Sequence, residues 1–186
     1  MSTPRTRDDV PAPAGTPYDP AAPDAVDAVV AAWQRERPDL DLAAIAVVGR
    51  LGRVGLLLGP AQERVFTEFG LQRGEFDVLA ALRRSGAPYV LSPSRLSALL
   101  MLSRAGMTNR LDRLEAAGMV ERTLDRADRR SFQIRLTDQG HATVDAAMTR
   151  HTANVTGLLS GLTPGELATL DGLARKLLHH LADPDR

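Results

Sequence analysis

Side chains that bind phosphate groups and base edges recur between residues 101 and 135. This segment contains eight arginines and five acidic residues, a local excess of three positive charges, whereas the whole chain balances 23 basic against 23 acidic residues. Arginine, threonine and asparagine hydrogen-bond to phosphates and to base edges in duplex DNA. One face of a predicted helix carries Arg104, Thr108, Asn109, Asp112 and Arg113. An ordinary solvated helix face is the alternative interpretation, so the neighbouring elements decide between the two.

Two short predicted helices position this face. Ser92 before Pro93 is a helix cap followed by proline at the first helical position, where a missing N–H costs nothing. Ser103 is the expected cap of the second helix, which covers residues 104–117 and ends at Gly118. The pair has the form of a helix-turn-helix, whose second helix suits the major groove of DNA.

Beyond this helix the apolar residues alternate, which predicts a two-stranded hairpin. Its strands cover residues 120–124 and 132–136, and a short third strand is expected at residues 89–91. The loop at residues 125–130 contains three arginines and two aspartates, so it is too polar to be buried. A basic hairpin behind a helix-turn-helix forms a wing that can follow the DNA backbone or enter the minor groove. This order of elements favours the nucleic-acid interpretation.

Helices are predicted on both sides of this unit. Residues 1–23 contain six of the twelve prolines and little apolar periodicity, which indicates a disordered tail. Further helices are expected at residues 24–37, 41–69, 73–85, 137–160 and 163–182. The predicted fold is mainly α with a small β wing. It is a winged helix-turn-helix domain at residues 71–137 on a helical dimerisation body, formed by residues 24–70 and 138–186.

The composition argues against several other functions. The chain has no cysteine, which excludes a thiol-based sensor and agrees with a cytoplasmic protein. Its four histidines, His141, His151, His179 and His180, are expected to be structural or surface residues. Without a nucleophile-and-base motif, metal-ligand spacing or a glycine-rich phosphate loop, we expect no enzyme, no cofactor and no metal site. A signal peptide is not expected, nor is an apolar run of the roughly 20 residues that span a membrane.

Three runs of residues in the helix-turn-helix and the wing are distinctive. They are Met-Thr-Asn-Arg-Leu-Asp-Arg-Leu-Glu-Ala-Ala-Gly-Met-Val-Glu-Arg at residues 107–122, Asp-Arg-Arg-Ser at 128–131 and Leu-Thr-Asp-Gln-Gly at 136–140. With these runs the chain resembles the MarR family of bacterial regulators. The resemblance extends from about Asp24 to the end of the chain. It implies an obligate triangular homodimer with a winged domain at each lower corner.

The same resemblance assigns roles within the wing. In the family the aspartate and arginine of the Asp-x-Arg signature, here Asp128 and Arg130, orient each other while the wing arginine reaches the minor groove. Arg126 and Arg129 are then expected to contact phosphates. The complete expected DNA-binding set is Ser103, Arg104, Thr108, Asn109, Arg113, Arg126, Asp128, Arg129 and Arg130.

The first predicted helix, with the only tryptophan, resembles an added helix of the urate-responsive branch of the family. In that branch a tryptophan from this helix, an aspartate from the helix before the helix-turn-helix, and arginines from the recognition helix and the first wing strand bind the ligand. The matching residues are Trp33, Asp77, Arg110 and Arg122. Two guanidinium groups can hold a planar anion on which an indole stacks. A buried tryptophan anchor and an interdomain salt bridge of Asp77 are the structural alternative, and relatives with this pattern also respond to aconitate-like polycarboxylates.

These features predict a ligand-responsive transcription regulator, expected to be a repressor, that binds palindromic duplex DNA as a homodimer. A small anionic metabolite such as urate or a polycarboxylate would break a contact between Asp77 and arginine and alter the spacing of the two recognition helices. The alternative is a winged-helix DNA-binding regulator without a small-molecule effector.

Overall fold

The computed structural model describes residue 19 and residues 21–124 and 132–182. In this part of the chain, helices and strands lie within a few residues of the positions predicted from the sequence. The helices are α1 (Ala25–Glu36), α2 (Ala43–Thr67), α3 (Arg73–Arg84), α4 (Pro93–Leu100), α5 (Arg104–Ala116), α6 (Asp138–Leu158) and α7 (Pro164–Leu181), and the strands are β1 (Val90–Leu91), β2 (Val120–Leu124) and β3 (Phe132–Leu136). Most of the predicted N-terminal tail and the wing loop at 125–131 lie outside the described residues.

Side-chain caps fix the starts of the two helix-turn-helix helices. The Ser92 hydroxyl accepts a hydrogen bond from the Arg95 N–H at 3.2 Å, and the Ser103 hydroxyl accepts one from the Gly106 N–H at 3.2 Å. Gly118 follows α5 with a φ of 68°, a left-handed conformation that glycine adopts without strain. These positions confirm the boundaries predicted for the helix pair.

The chain divides into two compact units, Met1–Val54 and Gly55–Arg186. In the first unit, Arg50 of α2 bonds to Asp24 at 2.8 Å and to Asp27 at 2.5 Å, at the start of α1. The hydrogen bond from Arg50 is the main reason why the pKa of Asp24 falls to about 2. A Cβ at Gly49 would lie 3.1 Å from Val26, so this glycine permits a close approach of the two helices.

The second unit contains the winged domain and its core. Its sheet has the order β1-β3-β2 with antiparallel pairing, and Arg122 of β2 lies opposite Ile134 of β3. Alternation along β3 places Ile134 and Leu136 inward. The core is formed by side chains from α3, α4, α5, α6 and the sheet, including Phe76, Val78, Leu79, Leu82, Leu96, Met107, Leu111, Leu114, Ile134, Leu136 and Val144. The mainly helical fold with a small β wing is thus confirmed.

The end of α5 is joined directly to the start of α6. The Thr137 hydroxyl donates to the Gly118 carbonyl at 2.7 Å, and the Gln139 amide donates to the Ala117 carbonyl at 3.3 Å. A Cβ at Gly140 would lie 1.9 Å from the Met119 carbonyl oxygen, so only glycine allows this approach. The first turn of α6 therefore satisfies carbonyls that the end of α5 leaves free.

Large apolar side chains remain exposed on α2 and α7. None of the residues of α7 is buried within the described chain. The exposed apolar side chains are Ile45, Val47, Val48, Leu51, Val54, Leu56 and Leu57 on α2, and Leu167, Leu170, Leu173, Leu177, Leu178 and Leu181 on α7. Apolar surface of this extent indicates a contact that one chain alone does not provide.

By length and composition, α2 could also cross a membrane, with a mean hydropathy of 1.4. The sequence expectation concerned uninterrupted apolar runs of roughly 20 residues. α2 contains no such run, because Arg50 and Arg53 interrupt it. Core helices of proteins without any membrane segment meet the same criterion, so the property carries no further argument.

Candidate nucleic-acid interface and anion site

The outward face of α5 presents free polar groups. Arg104, Thr108 and Asn109 are exposed. The Thr108 hydroxyl donates to the Arg104 carbonyl at 3.1 Å, which fixes the rotamer and leaves the oxygen available as an acceptor. Within residues 21–124 and 132–182, the side chains of Arg104 and Asn109 form no hydrogen bond or ion pair. This face can therefore donate to phosphates and base edges without first breaking a protein contact.

A groove of about 600 Å³ runs along the same side of the helix pair. The exposed Phe132 of β3 lies at one side of it, so the groove extends from the helix pair to the base of the wing. Its lining residues are Ser92, Pro93, Ser94, Ser97, Arg104, Met107, Thr108 and Phe132. The four wing residues predicted to contact DNA lie outside the described residues, and their roles stay predictions. They are Arg126, Asp128, Arg129 and Arg130.

Arg113 on the recognition helix faces α3 and is held there by two side chains. Its Nε donates to the Glu75 carboxylate at 2.5 Å and its Nη2 donates to the Gln72 side-chain oxygen at 3.2 Å. Glu75 is the one buried charged residue among those described, and its second carboxylate oxygen accepts the Gln72 backbone N–H at 2.8 Å. We call Glu75, Gln72 and Arg113 the Arg113 clamp. The clamp positions α5, and a DNA contact by the half-exposed Arg113 stays a prediction.

Sequence reasoning missed Glu75 as a residue of the site. The local signal was a capping box, since Gln72 and Glu75 stand three residues apart at the start of α3. That signal predicts a helix start but does not reveal that the same carboxylate also bonds to α5.

Arg110 lies one turn before Arg113 and packs on the same end of α3. Its guanidinium lies across Gly74, where a Cβ would be 2.3 Å from Nε and 2.9 Å from Cζ. Its Nη1 donates to the Gly106 carbonyl at 3.1 Å. No carboxylate within the described residues bonds to this guanidinium. We call Gly74, the Gly106 carbonyl, Asp77 and Arg110 the Arg110 seat.

Asp77 is partly buried, and its side chain makes no hydrogen bond within the described residues. Burial raises its pKa above the ordinary aspartate value, and the positive charges of Arg73, Arg84 and Arg110 oppose this rise. A carboxyl group in this state is an available acceptor, and an available donor when protonated. The structure thus brings Asp77 and Arg110 into one electrostatic neighbourhood without a direct bond.

Arg122, the second predicted anion-binding arginine, is engaged elsewhere. Its Nη2 donates to the Asp112 carboxylate, and its Nη1 lies 3.2 Å from the Glu115 carboxylate. Both acids lie on α5, three residues apart, so Arg122 ties β2 to the recognition helix. Asp112 was predicted on the DNA-facing side of the helix, and its pairing with Arg122 has no signal in the sequence.

Trp33 belongs to the first unit, Met1–Val54. Its side chain is 51% exposed on α1. A shallow apolar groove of about 400 Å³ surrounds it, lined by Ala28, Val29, Ala32, Trp33 and Glu36. Because its ring is accessible, Trp33 is free to stack on a planar group.

His151 of α6 lies behind α3. Its ring centroid is 5.1 Å from that of Phe66 and 5.6 Å from that of Phe76, and its buried Nδ1 has no hydrogen-bond partner within the described residues. The other described histidines also show no grouping for a metal, since no cluster of three or more His, Cys, Asp or Glu side chains occurs in the described ranges.

Proteins of similar sequence and fold identify the family to which this geometry belongs. The sequence pattern of the MarR family matches residues 69–131. The HTH-type transcriptional regulator PecS of Dickeya dadantii is 42% identical over 155 residues, which cover 83% of this chain and 93% of PecS. The regulator PapX of Escherichia coli is 31% identical over 131 residues, covering 70% of this chain and 79% of PapX.

Solved structures agree with these relatives. A mutant of E. coli MarR complexed with operator DNA has a TM-score of 0.64 and 27% identity, covering 74% of this chain and 97% of that one. AbsC, a MarR family transcriptional regulator from Streptomyces coelicolor, has a TM-score of 0.66 and 26% identity, covering 76% and 95%.

Proposed function

The chain belongs to the MarR family of transcription regulators, and from this premise we propose that it is a cytoplasmic, ligand-responsive repressor. It binds palindromic duplex DNA as a homodimer and is released by a small anion. The observation that carries the DNA-binding proposal is the outward face of α5, where Arg104 and Asn109 have no protein partner within the described residues. The likeness to a relative complexed with operator DNA supports the same assignment.

The homodimer is proposed from the exposed apolar stripes. The leucines of α7 repeat every three to four residues and are all exposed, as expected for a helix that packs against a second copy of the chain. We assign residues 24–70 and 138–186 to the dimer body and residues 71–137 to DNA binding. A dimer is required for the function because two recognition helices must meet half-sites one turn of DNA apart.

From the resemblance to the urate-responsive branch, we propose that Trp33, Asp77, Arg110 and Arg122 bind the effector. The Arg110 seat supports it best, because a partly buried guanidinium there lacks a carboxylate partner within the described residues. An anion that binds Arg110 shifts the charge balance around Asp77 and pulls on the recognition helix. An anion that also recruits Arg122 must compete with Asp112 and Glu115, which loosens the tie between β2 and α5.

The experiment is fluorescence anisotropy on DNA from upstream of the gene, with and without urate or trans-aconitate. We expect tight binding that weakens with salt and is released by one of the two anions. Arg104→Ala should weaken DNA binding, whereas Asp77→Ala and Arg110→Ala should retain binding and lose the response. Arg175→Ala, an exposed arginine on α7, is the matched control.

Two outcomes separate the parts of this proposal. DNA binding that neither anion releases favours a winged-helix regulator without an effector, the alternative function. Normal release of the Asp77→Ala and Arg110→Ala variants would instead contradict the assignment of the effector site.

A further inference from the structure

We infer that Gly74 is a positioning residue, whose missing side chain leaves the space that seats the Arg110 guanidinium on α3, one turn before Asp77. This inference rests on the proposed effector site and deepens it. The approach is too close for any side chain, because a Cβ at position 74 would lie 2.3 Å from Nε and 2.9 Å from both Cζ and Nη2. Gly106 makes a looser contact, with a Cβ position 3.3 Å from Nη1.

Gly74 holds the guanidinium by shape and not by charge. An arginine side chain carries five N–H donors, and the one hydrogen bond recorded within the described residues goes to the Gly106 carbonyl. A carboxylate partner would occupy these donors and would compete with an anionic ligand. Because a flat glycine surface supports the group, its donors stay available for an anion while its position stays defined.

A methyl group at position 74 should therefore displace Arg110 and leave the fold intact. The atoms in its way are at the far end of a flexible side chain, which can swing out without moving the backbone of α3 or α5. The glycine is the second residue of α3, where alanine is a compatible helical residue.

The test compares Gly74→Ala with Gly165→Ala. Gly165 is also the second residue of a helix that begins with a capping box, and a Cβ there would meet nothing within 4 Å. The two substitutions therefore make the same local change, and only the first affects an arginine.

The first measurement needs no effector. It determines the pKa of the Asp77 carboxyl by ¹³C NMR. Arg110 is one of the positive charges that lower this pKa, so moving its guanidinium away should raise the pKa. We expect a rise in Gly74→Ala similar to that in Arg110→Ala, and none in Gly165→Ala. No rise in Gly74→Ala would overturn the inference, whatever Arg110→Ala does.

The second measurement is release from operator DNA by urate or trans-aconitate. We expect Gly74→Ala to bind DNA within about twofold of the wild type, and to need at least about tenfold more anion for release, the scale of one lost charged hydrogen bond. An unchanged response in Gly74→Ala with a lost response in Arg110→Ala would contradict the seat. If neither anion releases the wild type, the effector proposal fails, and the NMR result alone decides the role of Gly74.

A double variant covers the case in which Gly74→Ala is less stable than the wild type. If the methyl group clashes with Arg110, then Gly74→Ala combined with Arg110→Ala should recover the lost stability, because the second change removes the clashing group. Additive losses in the two variants would show that position 74 acts on the helix itself and would overturn the inference.

Discussion

Two arginines one turn apart on α5 dock on the same first turn of α3 in opposite ways. Arg113 is bonded to a buried carboxylate at 2.5 Å and to a side-chain amide oxygen at 3.2 Å. Arg110 lies on a glycine, donates once to a carbonyl, and has no bond to a carboxylate within the described residues. The charge of Arg113 is paired with a carboxylate of the protein, whereas Arg110 has no bonded carboxylate within the described residues.

The difference distinguishes an arginine that holds a helix in place from an arginine that can bind a ligand. A guanidinium whose charge is already paired with a carboxylate gains less from an external anion than an unpaired one. A guanidinium that has one hydrogen bond to a carbonyl and no bonded carboxylate retains donors for an anion. We therefore interpret the Arg113 clamp as the fixed attachment of the recognition helix and the Arg110 seat as its adjustable one.

The largest effect should come from breaking the clamp at its buried side. Glu75→Ala removes the bond to Arg113 and the acceptor of the Gln72 N–H, and should cost about 2 kcal/mol in the free energy of unfolding. Urea unfolding measures it. The control is Glu166→Ala on α7, which loses a comparable capping contact to Thr163 at 2.8 Å but is exposed. Equal losses in the two variants would show that Glu75 only caps α3.

The two arginine variants should lose less stability than Glu75→Ala, and Arg113→Ala should lose more than Arg110→Ala. Arg113→Ala leaves the Glu75 carboxylate buried without its cation and should cost about 1 kcal/mol, a value kept low because Arg113 is half exposed. Arg110→Ala removes no ion pair and should cost at most about 0.5 kcal/mol. Urea unfolding of the two single variants decides the comparison. The reverse order would mean that the seat, and not the clamp, is the structural attachment.

The smallest effect concerns pH. Burial raises the pKa of Asp77, so its favourable contribution is present at low pH and is lost as the pH rises through the pKa of the folded state. Asp77→Asn should therefore gain stability relative to the wild type as the pH rises from about 3 to about 7.

A second aspartate, Asp145, should show the opposite dependence of stability on pH. The hydrogen bond from Arg83 lowers the pKa of Asp145, so its contribution is present at neutral pH and is lost as the pH falls. Asp145→Asn should lose stability relative to the wild type over the same range. Thermal unfolding at several pH values tests both variants, and parallel curves would contradict the assigned environment of Asp77.

The elements were predictable because their signals are local. Ser92 and Ser103 as caps, Gly118 as a helix end and the alternation in β3 all act within a few residues of the structure that they specify. The placement of α3 against α5 has no such signal, since helical periodicity marks a buried face but not its register against another helix. For this reason the sequence placed Arg113 and Asp112 on the DNA side, and did not find Glu75 or the acid pair that holds Arg122.

The role of Gly74 could not be predicted from the sequence either. A glycine at the second position of a helix has no distinctive sequence signal, and its role depends on an arginine 36 positions away that lies across it. The pairing of Asp77 with Arg110 was expected from family resemblance, and it stays a prediction as a binding site although the structure brings the two residues together.

The junction of α5 with α6 has a mechanical consequence. Since Gly140 lies against the Met119 carbonyl with no room for a Cβ, we expect a tilt of the recognition helix to carry the first turn of α6 with it. α6 has 21 residues and is therefore about 30 Å long. A rotation of about 5° at the junction would displace its far end by about 3 Å, so the length of α6 would enlarge a small tilt of the recognition helix.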